Sequence, residues 1–100
     1  MKLDRAFGTA VHNRRRDAGL TQEQFAESLG MQSSAISRLE RGVVSPSLEM
    51  VDRVARALGT TPATLLSEAE QHLLRAAQTP GTLPGREPRP PRPPRASGKT

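Results

Sequence analysis

The sequence predicts an all-α fold, a compact bundle of five helices, and two observations carry that prediction. Apolar residues recur at the spacing that places side chains on one face of a helix, along most of residues 1–78. Four of these stretches end at a glycine, the residue that most often terminates a helix: Gly19, Gly30, Gly42 and Gly59. A chain of 100 residues allows one domain with a small core.

The first helix is predicted over residues 3–18, where five apolar residues share one face: Leu3, Phe7, Ala10, Val11 and Ala18. Gly19 is its expected C-cap. Three arginines precede the C-terminus of this helix, where positive charge is favourable beside the helix dipole: Arg14, Arg15 and Arg16. The dipole accounts for two of the three.

The second and third helices are predicted between residues 21 and 42. Thr21 is a suitable N-cap, and Gln24 completes a capping box, so a helix should begin at Gln22 and end at Gly30. The third helix carries its own apolar stripe and is closed by Gly42. That stripe consists of Ala35, Ile36 and Leu39.

The spacing between these two helices favours a particular motif. Ala26 is small enough to let a second helix cross closely, Gly30 allows a sharp bend, and Ile36 can fill the angle between the helices. This is the helix-turn-helix arrangement, whose second helix enters the major groove of DNA. An ordinary αα-hairpin uses the same caps and the same glycine, and it is the alternative at this point.

A fourth helix should begin after Ser47, which follows Pro46 and is a good N-cap, and extend from Leu48 to about Leu58. Its inward face is predicted to contain Leu48, Val51, Val54, Ala55 and Leu58. Thr61 and Pro62 signal the start of a fifth helix, anchored by Leu65 and Leu66. That helix either continues through Ala69, Leu73, Ala76 and Ala77 or breaks near Ser67 into a sixth.

Residues 79–100 differ from the rest in composition. They contain seven of the nine prolines and almost nothing apolar, so a disordered tail with polyproline II character is expected. The tail from Pro80 also carries most of the net charge of +5. It has three possible roles: a solvated tail without a partner, a salt-sensitive attraction to phosphates, or a polyproline ligand for another protein.

The composition also excludes several classes of function. The chain has no cysteine, and His12 and His72 stand without ligand-spaced partners, so we expect no metal and no cofactor. No phosphate loop, nucleophile elbow or dinucleotide fingerprint is present, so an enzyme is not expected. No apolar run approaches the ~18 residues that span a bilayer, and no secretory signal is evident. We expect a soluble, cytoplasmic protein without membrane association.

The stretch from Phe7 to Leu66 resembles the Cro/phage-repressor (XRE-like) helix-turn-helix family, which has a lambda-repressor-like DNA-binding domain. The resemblance is carried by the following residues: Arg15, Gly19-Leu20-Thr21-Gln22, Phe25-Ala26, Gly30, Ile36-Ser37, Leu39-Glu40-Arg41-Gly42, Pro46-Ser47-Leu48 and Ala57-Leu58-Gly59. It implies a DNA-binding transcriptional regulator, a repressor, whose recognition helix spans residues 33–41.

The resemblance also implies roles for individual residues on double-stranded DNA. Gln22 would reach a backbone phosphate from the start of helix two. Base edges would be contacted by Gln32, Ser33, Ser34 and Arg38, with Arg38 suited to guanine O6 and N7. Ser37 and Arg41 would touch phosphates. Ser33 has a second interpretation as the N-cap of the recognition helix.

Three further positions matter for how the helices are held. The family pairs an arginine at Arg15 with a glutamate at Glu40, so a partly buried ion pair is expected there. Family members often carry an apolar residue where Arg14 stands, so helix one should pack less deeply or present Arg14 to the DNA backbone.

The family implies a homodimer on a pseudo-palindromic operator with half-sites about one helical turn, ~34 Å, apart. The predicted dimer surface consists of Leu65, Leu66, Leu73 and Ala76. Two other functions stay open. One is a DNA-binding antitoxin or another regulator bound to a protein partner, and the other is an adaptor that binds through its proline-rich tail.

Overall fold

The computed structural model describes residues 2–77, and these form five α-helices without a strand. The helices are α1 Leu3–Asp17, α2 Gln22–Leu29, α3 Ser33–Arg41, α4 Leu48–Ala57 and α5 Pro62–Ala77. The all-α prediction is therefore confirmed. Helix α5 is continuous, so the alternative of a break near Ser67 is wrong. The predicted disorder of the tail lies outside the described residues.

One hydrophobic core joins all five helices. Helix α1 packs mainly against α5 and also against α3, while α2 packs between α3 and α4. The buried core contains both phenylalanines and aliphatic residues of every helix. Its members are Ala6, Phe7, Ala10, Val11, Phe25, Ala26, Leu29, Ile36, Leu39, Val51, Val54, Ala55, Leu65 and Ala69. Small alanines fill many of these positions, and they let the short helices approach one another closely.

The helix ends follow local capping chemistry. Thr21 accepts a hydrogen bond from the Gln24 backbone N–H at 3.0 Å, and the Gln24 side chain accepts one from Thr21 N–H at 2.9 Å, which forms the predicted capping box. Ser47 accepts a hydrogen bond from the Met50 N–H at 3.1 Å at the start of α4. Gly30 ends α2 with φ of 68°, which makes the sharp bend before α3.

Helix α1 crosses the end of α3 at very short distance. A Cβ placed on Gly8 would lie 2.5 Å from the carbonyl oxygens of Leu39 and Glu40. At Gly42, which closes α3 with φ of +74°, a Cβ would lie 2.5 Å from the Cα of Arg5. Both glycines are therefore required for backbones to meet here, a role of Gly8 that the spacing of apolar residues did not indicate.

Three residues predicted to face inward do not. Leu48 is 82% exposed because it is the first residue of α4, whose first turn extends beyond the buried face formed by Val51, Val54 and Ala55. Leu3, the first residue of α1, is 50% exposed. Ala18 is exposed because it is the C-cap of α1 and lies past its last turn. Among the described helices, none is both long enough and apolar enough to cross a membrane.

Candidate nucleic-acid interface

Helix α3 has one buried and one exposed face. Ile36, Leu39 and Glu40 are directed into the bundle, while Ser34, Arg38 and Arg41 are exposed on the opposite side. Ser34 and Arg38 are four residues apart, so their side chains are neighbours on the outer surface of the helix. Ser33 and Ser37, which are half-buried, border this face.

The two arginines of this face differ in how they are held. Arg41 donates from Nε to the carbonyl of Ser37 one turn earlier, at 3.3 Å. The guanidinium of Arg38 has no ion-pair or hydrogen-bond partner within residues 2–77. Its five N–H donors are therefore available to a ligand, in the planar fork that matches a guanine edge or a phosphate.

The start of α3 is also exposed. Gln32 occupies the N-cap position with extended backbone, and its side chain makes no capping hydrogen bond. Ser33 is consequently the first residue of the helix, and the interpretation of Ser33 as the N-cap is wrong. Gln32 is exposed and directly precedes Ser33.

Behind the exposed face, Glu40 and Arg15 form a buried ion pair between α3 and α1. Arg15 Nε donates to Glu40 Oε2 at 2.6 Å, and Arg15 Nη2 donates to Oε1 at 3.1 Å. Arg15 Nη1 also donates to the carbonyl of Leu20 at 2.7 Å, which secures the connection between α1 and α2. Their side chains are 9% and 4% exposed. This bidentate pair fixes how α3 is rotated relative to α1.

Two further side chains lie within hydrogen-bonding distance of the same carboxylate. Gln22 Nε2 lies 3.1 Å from Glu40 Oε1, and His12 Nδ1 lies 3.0 Å from the same oxygen. Burial would raise the pKa of Glu40, but the hydrogen bonds from Arg15, Gln22 and His12 outweigh it and hold this pKa below its ordinary value. Glu40 is therefore a charged hub that joins α1, the start of α2 and α3.

The sequence indicated the hub only in part. His12 and Glu40 are 28 residues apart, and no local spacing connects them. Gln22, expected on a phosphate, uses one of its two amide N–H groups inside the protein, and the other stays available. The Arg15–Glu40 pairing came from the family resemblance and not from any spacing in this chain.

Arg14 takes a different position from the one expected. Its Nε and Nη2 donate to Glu68 Oε1 and Oε2 at 2.9 Å and 2.6 Å, which ties α1 to α5. This bidentate contact holds the pKa of Glu68 below its ordinary value. The Arg14 guanidinium is thus occupied by α5 and is not presented with the α3 face. Within residues 2–77, no group of three histidine or acidic residues is placed to hold a metal ion.

The residues of the predicted dimer surface differ in how far they are buried. Leu65 is fully buried in the core and cannot line an interface, so its assignment is wrong. Leu66 and Leu73 are half-buried, and they line an open groove of about 450 Å³ together with Leu3 and Ala63. Ala76 is half-buried in the last turn of α5.

These features define the class of protein. A capped α2, a glycine turn and an α3 that buries one face while exposing Ser34 and Arg38 constitute a helix-turn-helix domain. Residues 6–68 match the family described as "Helix-turn-helix domain".

Individual relatives agree with that match. The chain is 47% identical over 51 residues, 51% of this chain and 74% of the other, to an HTH-type transcriptional regulator of Methanothermobacter thermautotrophicus. It is 30% identical over 67 residues, 67% of this chain and 60% of the other, to the cryptic phage CTXphi transcriptional repressor RstR of Vibrio cholerae. The chain belongs to the XRE-like helix-turn-helix family of DNA-binding transcriptional regulators.

Solved structures give the same result for the fold. The clp gene regulator ClgR of Corynebacterium glutamicum superposes with a TM-score of 0.73 at 37% identity, covering 78% of this chain and 84% of that one. A second crystal structure of ClgR gives a TM-score of 0.70 at 34% identity, over 73% of this chain and 95% of the other.

Proposed function

We propose that this regulator is a repressor that reads double-stranded DNA in a sequence-specific manner, with residues 33–41 inserted in the major groove. The observation that carries the proposal is the unpartnered Arg38 guanidinium, exposed on a helix whose rotation is fixed by the buried Arg15–Glu40 pair. A helix that is already fixed in the free protein avoids the entropy cost of ordering its backbone at binding. Repression would follow from occupying a promoter in the cytoplasm, and no catalytic role is assigned.

The roles of the α3 side chains follow from their positions. Arg38 donates two parallel hydrogen bonds to guanine O6 and N7, which makes it the main determinant of sequence preference. Gln32, Ser33 and Ser34, at the start of the helix, reach neighbouring base edges. Ser37 and Arg41 border this face and contact phosphates, where they set the register of the helix along the groove.

Gln22 has a double role in this proposal. One N–H of its amide donates to Glu40 Oε1, and the second is directed to a backbone phosphate at the N-terminus of α2. The phosphate contact is then held in place by the same carboxylate that orients α3. The position of the domain along the DNA backbone and its contacts with the bases therefore both depend on Glu40.

The protein acts as a homodimer on a pseudo-palindromic operator with half-sites about one helical turn, ~34 Å, apart. The groove formed by Leu3, Ala63, Leu66 and Leu73 is the proposed contact surface, and Leu3 within it is 50% exposed. Apolar side chains left in water at one place on a small domain favour association with a second copy.

The test is selection of bound duplexes from a random pool with the full chain, followed by titration of the enriched site over a salt series. Arg38→Ala should weaken specific binding by about 1–3 kcal/mol and remove the preference for the enriched guanine. Arg56→Ala is the control, since Arg56 is an exposed arginine of α4 paired with Asp52. No consensus, together with equal salt-sensitive binding by both variants, would contradict sequence-specific reading by this chain alone.

The dimer is tested separately by sedimentation velocity. Leu66→Glu places a charge in the groove and should shift the full chain toward the monomer. Leu48→Glu changes a more exposed leucine that does not line the groove and should leave the mass unchanged. A monomeric wild-type protein on and off its operator would contradict the proposed homodimer.

A further inference from the structure

We propose that Arg5 of α1 and Arg41 of α3 together bind one phosphate of the DNA backbone, so that α1 adds a contact to those of the helix-turn-helix. This inference rests on the function proposed above, which gives Arg41 a phosphate contact and assigns no DNA contact to α1. It begins from an open cavity of about 430 Å³ between the two helices. The cavity is lined by Arg5, Thr9, Glu40, Arg41 and Val43.

The start of α1 is fixed against the end of α3. A Cβ placed on Gly42, which directly follows Arg41, would lie 2.5 Å from the Cα of Arg5. Ser45 Oγ, in the connection that follows α3, donates to Asp4 Oδ2 at 2.7 Å. These contacts fix the backbones of Arg5 and Arg41 relative to each other, so both side chains can reach one ligand without a movement of either helix.

Both guanidinium groups have donors that the described part of the chain does not use. The side chain of Arg5 is exposed and has no ion-pair or hydrogen-bond partner within residues 2–77. Within the same residues Arg41 donates only from Nε, to the carbonyl of Ser37, which leaves both of its Nη groups available. A guanidinium pairs bidentately with phosphate oxygens, and two of these groups can hold one phosphate through different oxygens.

The acidic side chains beside the cavity do not neutralise these arginines. Glu40 lines the cavity, but its carboxylate is paired bidentately with Arg15 and its side chain is only 4% exposed. Asp4, the neighbour of Arg5 along the chain, accepts from Ser45. Two cations without an ion-pair partner in residues 2–77 therefore line the same cavity, and an anion bound between them would offset their repulsion.

The cavity lies at the C-terminal end of α3, beside the face proposed to contact DNA. Arg41 is three residues beyond Arg38 and seven beyond Ser34, so it shares their exposed face. A recognition helix contacts base edges with its N-terminal residues, so the far end of α3 comes to the phosphates that border the groove. The helix dipole is negative at that end and disfavours an anion, so a second cation from α1 strengthens the site.

The experiment measures the dissociation constant of the full chain for its selected duplex by fluorescence anisotropy over a salt series. The variants are Arg5→Ala, Arg5→Lys, Arg41→Ala and the double variant with both alanines. Arg75→Ala is the matched control, since Arg75 is an exposed arginine of α5 that also has no hydrogen-bond partner within residues 2–77 and does not line the cavity. Thermal unfolding confirms that every variant is folded.

Arg5→Ala should bind about tenfold more weakly than the wild type, with the same order of preference among operator sequences. Arg5→Lys keeps the charge but not the fork, so it should lose only about threefold. The double variant should lower the slope of log Kd against log salt by about 1, the value for one phosphate, whereas two separate phosphate contacts would lower it by about 2. Arg75→Ala should change the affinity by less than about twofold.

The shared phosphate is identified with duplexes in which one linkage at a time is replaced by an uncharged methylphosphonate. We expect one linkage at which this replacement weakens binding of the wild type and of Arg75→Ala by about tenfold or more. At that linkage the double variant should lose less than about twofold, and each single alanine variant should lose an intermediate amount, because the other arginine still contacts the phosphate.

Two results would overturn the inference: an affinity of folded Arg5→Ala within about twofold of the wild type, or losses for Arg5 and Arg41 that map to different linkages. Weak binding by Arg41→Ala with normal binding by Arg5→Ala would thus remove α1 from the interface and leave the proposed function intact. Absence of specific binding by the wild type would instead contradict the proposed function. The two failures are therefore distinguishable in one data set.

Discussion

Replacing Gly42 with alanine should destabilise the domain far more than the same replacement at Gly30. Both glycines end a helix of the DNA-binding motif in the left-handed region, with φ of 74° and 68°. A Cβ on Gly30 would have no heavy atom within 4 Å, whereas one on Gly42 would lie 2.5 Å from Arg5 Cα and 2.9 Å from Arg5 N. A comparison of the two variants therefore distinguishes the cost of left-handed backbone from the cost of steric overlap.

The magnitudes follow from that difference. Left-handed backbone costs alanine about 1–2 kcal/mol, and the stiffer unfolded chain returns about 0.4–1 kcal/mol, so Gly30→Ala should cost about 1 kcal/mol. Gly42→Ala adds overlap with backbone atoms, which cannot rotate away, and overpacking of this kind typically costs about 1–3 kcal/mol more. A total near 3 kcal/mol corresponds to a loss of roughly 15 °C in Tm for a domain of this size.

The assay is urea and thermal unfolding of both variants, monitored by circular dichroism. Gly42→Ala should also weaken operator binding under conditions where the variant is folded, because relief of the overlap moves α1 away from α3 and strains the Arg15–Glu40 pair. The reasoning is refuted if the two variants differ by less than about 0.5 kcal/mol in free energy of unfolding.

Three further outcomes are expected. Glu40 has a lowered pKa in the folded state, so the folding stability that its charge contributes is present above the ordinary carboxyl range and is lost as the pH falls through the folded value. Glu40→Gln should therefore flatten the acid side of a plot of urea midpoint against pH. Arg15→Met should lower the free energy of unfolding by about 3–5 kcal/mol, because the buried Glu40 carboxylate loses its partner. Arg14→Met should lower it by under about 1 kcal/mol, because the Arg14–Glu68 pair is a third exposed. Equal losses in the two variants would contradict this reasoning. Removing residues 79–100 should leave Tm unchanged and reduce the dependence of DNA affinity on salt, and an unchanged salt slope would show that the tail does not contact phosphates.

The elements that could be predicted from the sequence are those fixed by neighbours along the chain. The Thr21 capping box, the Gly30 bend and the Ser47 cap each involve residues at most three or four positions apart, and the structure contains all three. Helical spacing also identified the main core residues, since burial of one face follows from the 3.6-residue period.

Contacts between distant residues could not be predicted in this way. Glu68 lies 54 residues from Arg14, and the spacing within either helix carries no sign of the other. The exposure of Leu48 and the burial of Leu65 depend on where each helix crosses the bundle, which periodicity does not specify. The close approach at Gly8 is likewise a property of two helices, so a glycine inside α1 was not identified as required.

The packing of α1 mainly against α5 also has a consequence during translation. Helix α1 is synthesised before α5, and at about 5–20 residues per second it waits roughly 3–12 s for its principal partner. Over that interval α3 can cover part of its apolar side. A nascent chain interrupted before Leu65 lacks a central core residue, so only completed copies of the bundle would compete for the operator.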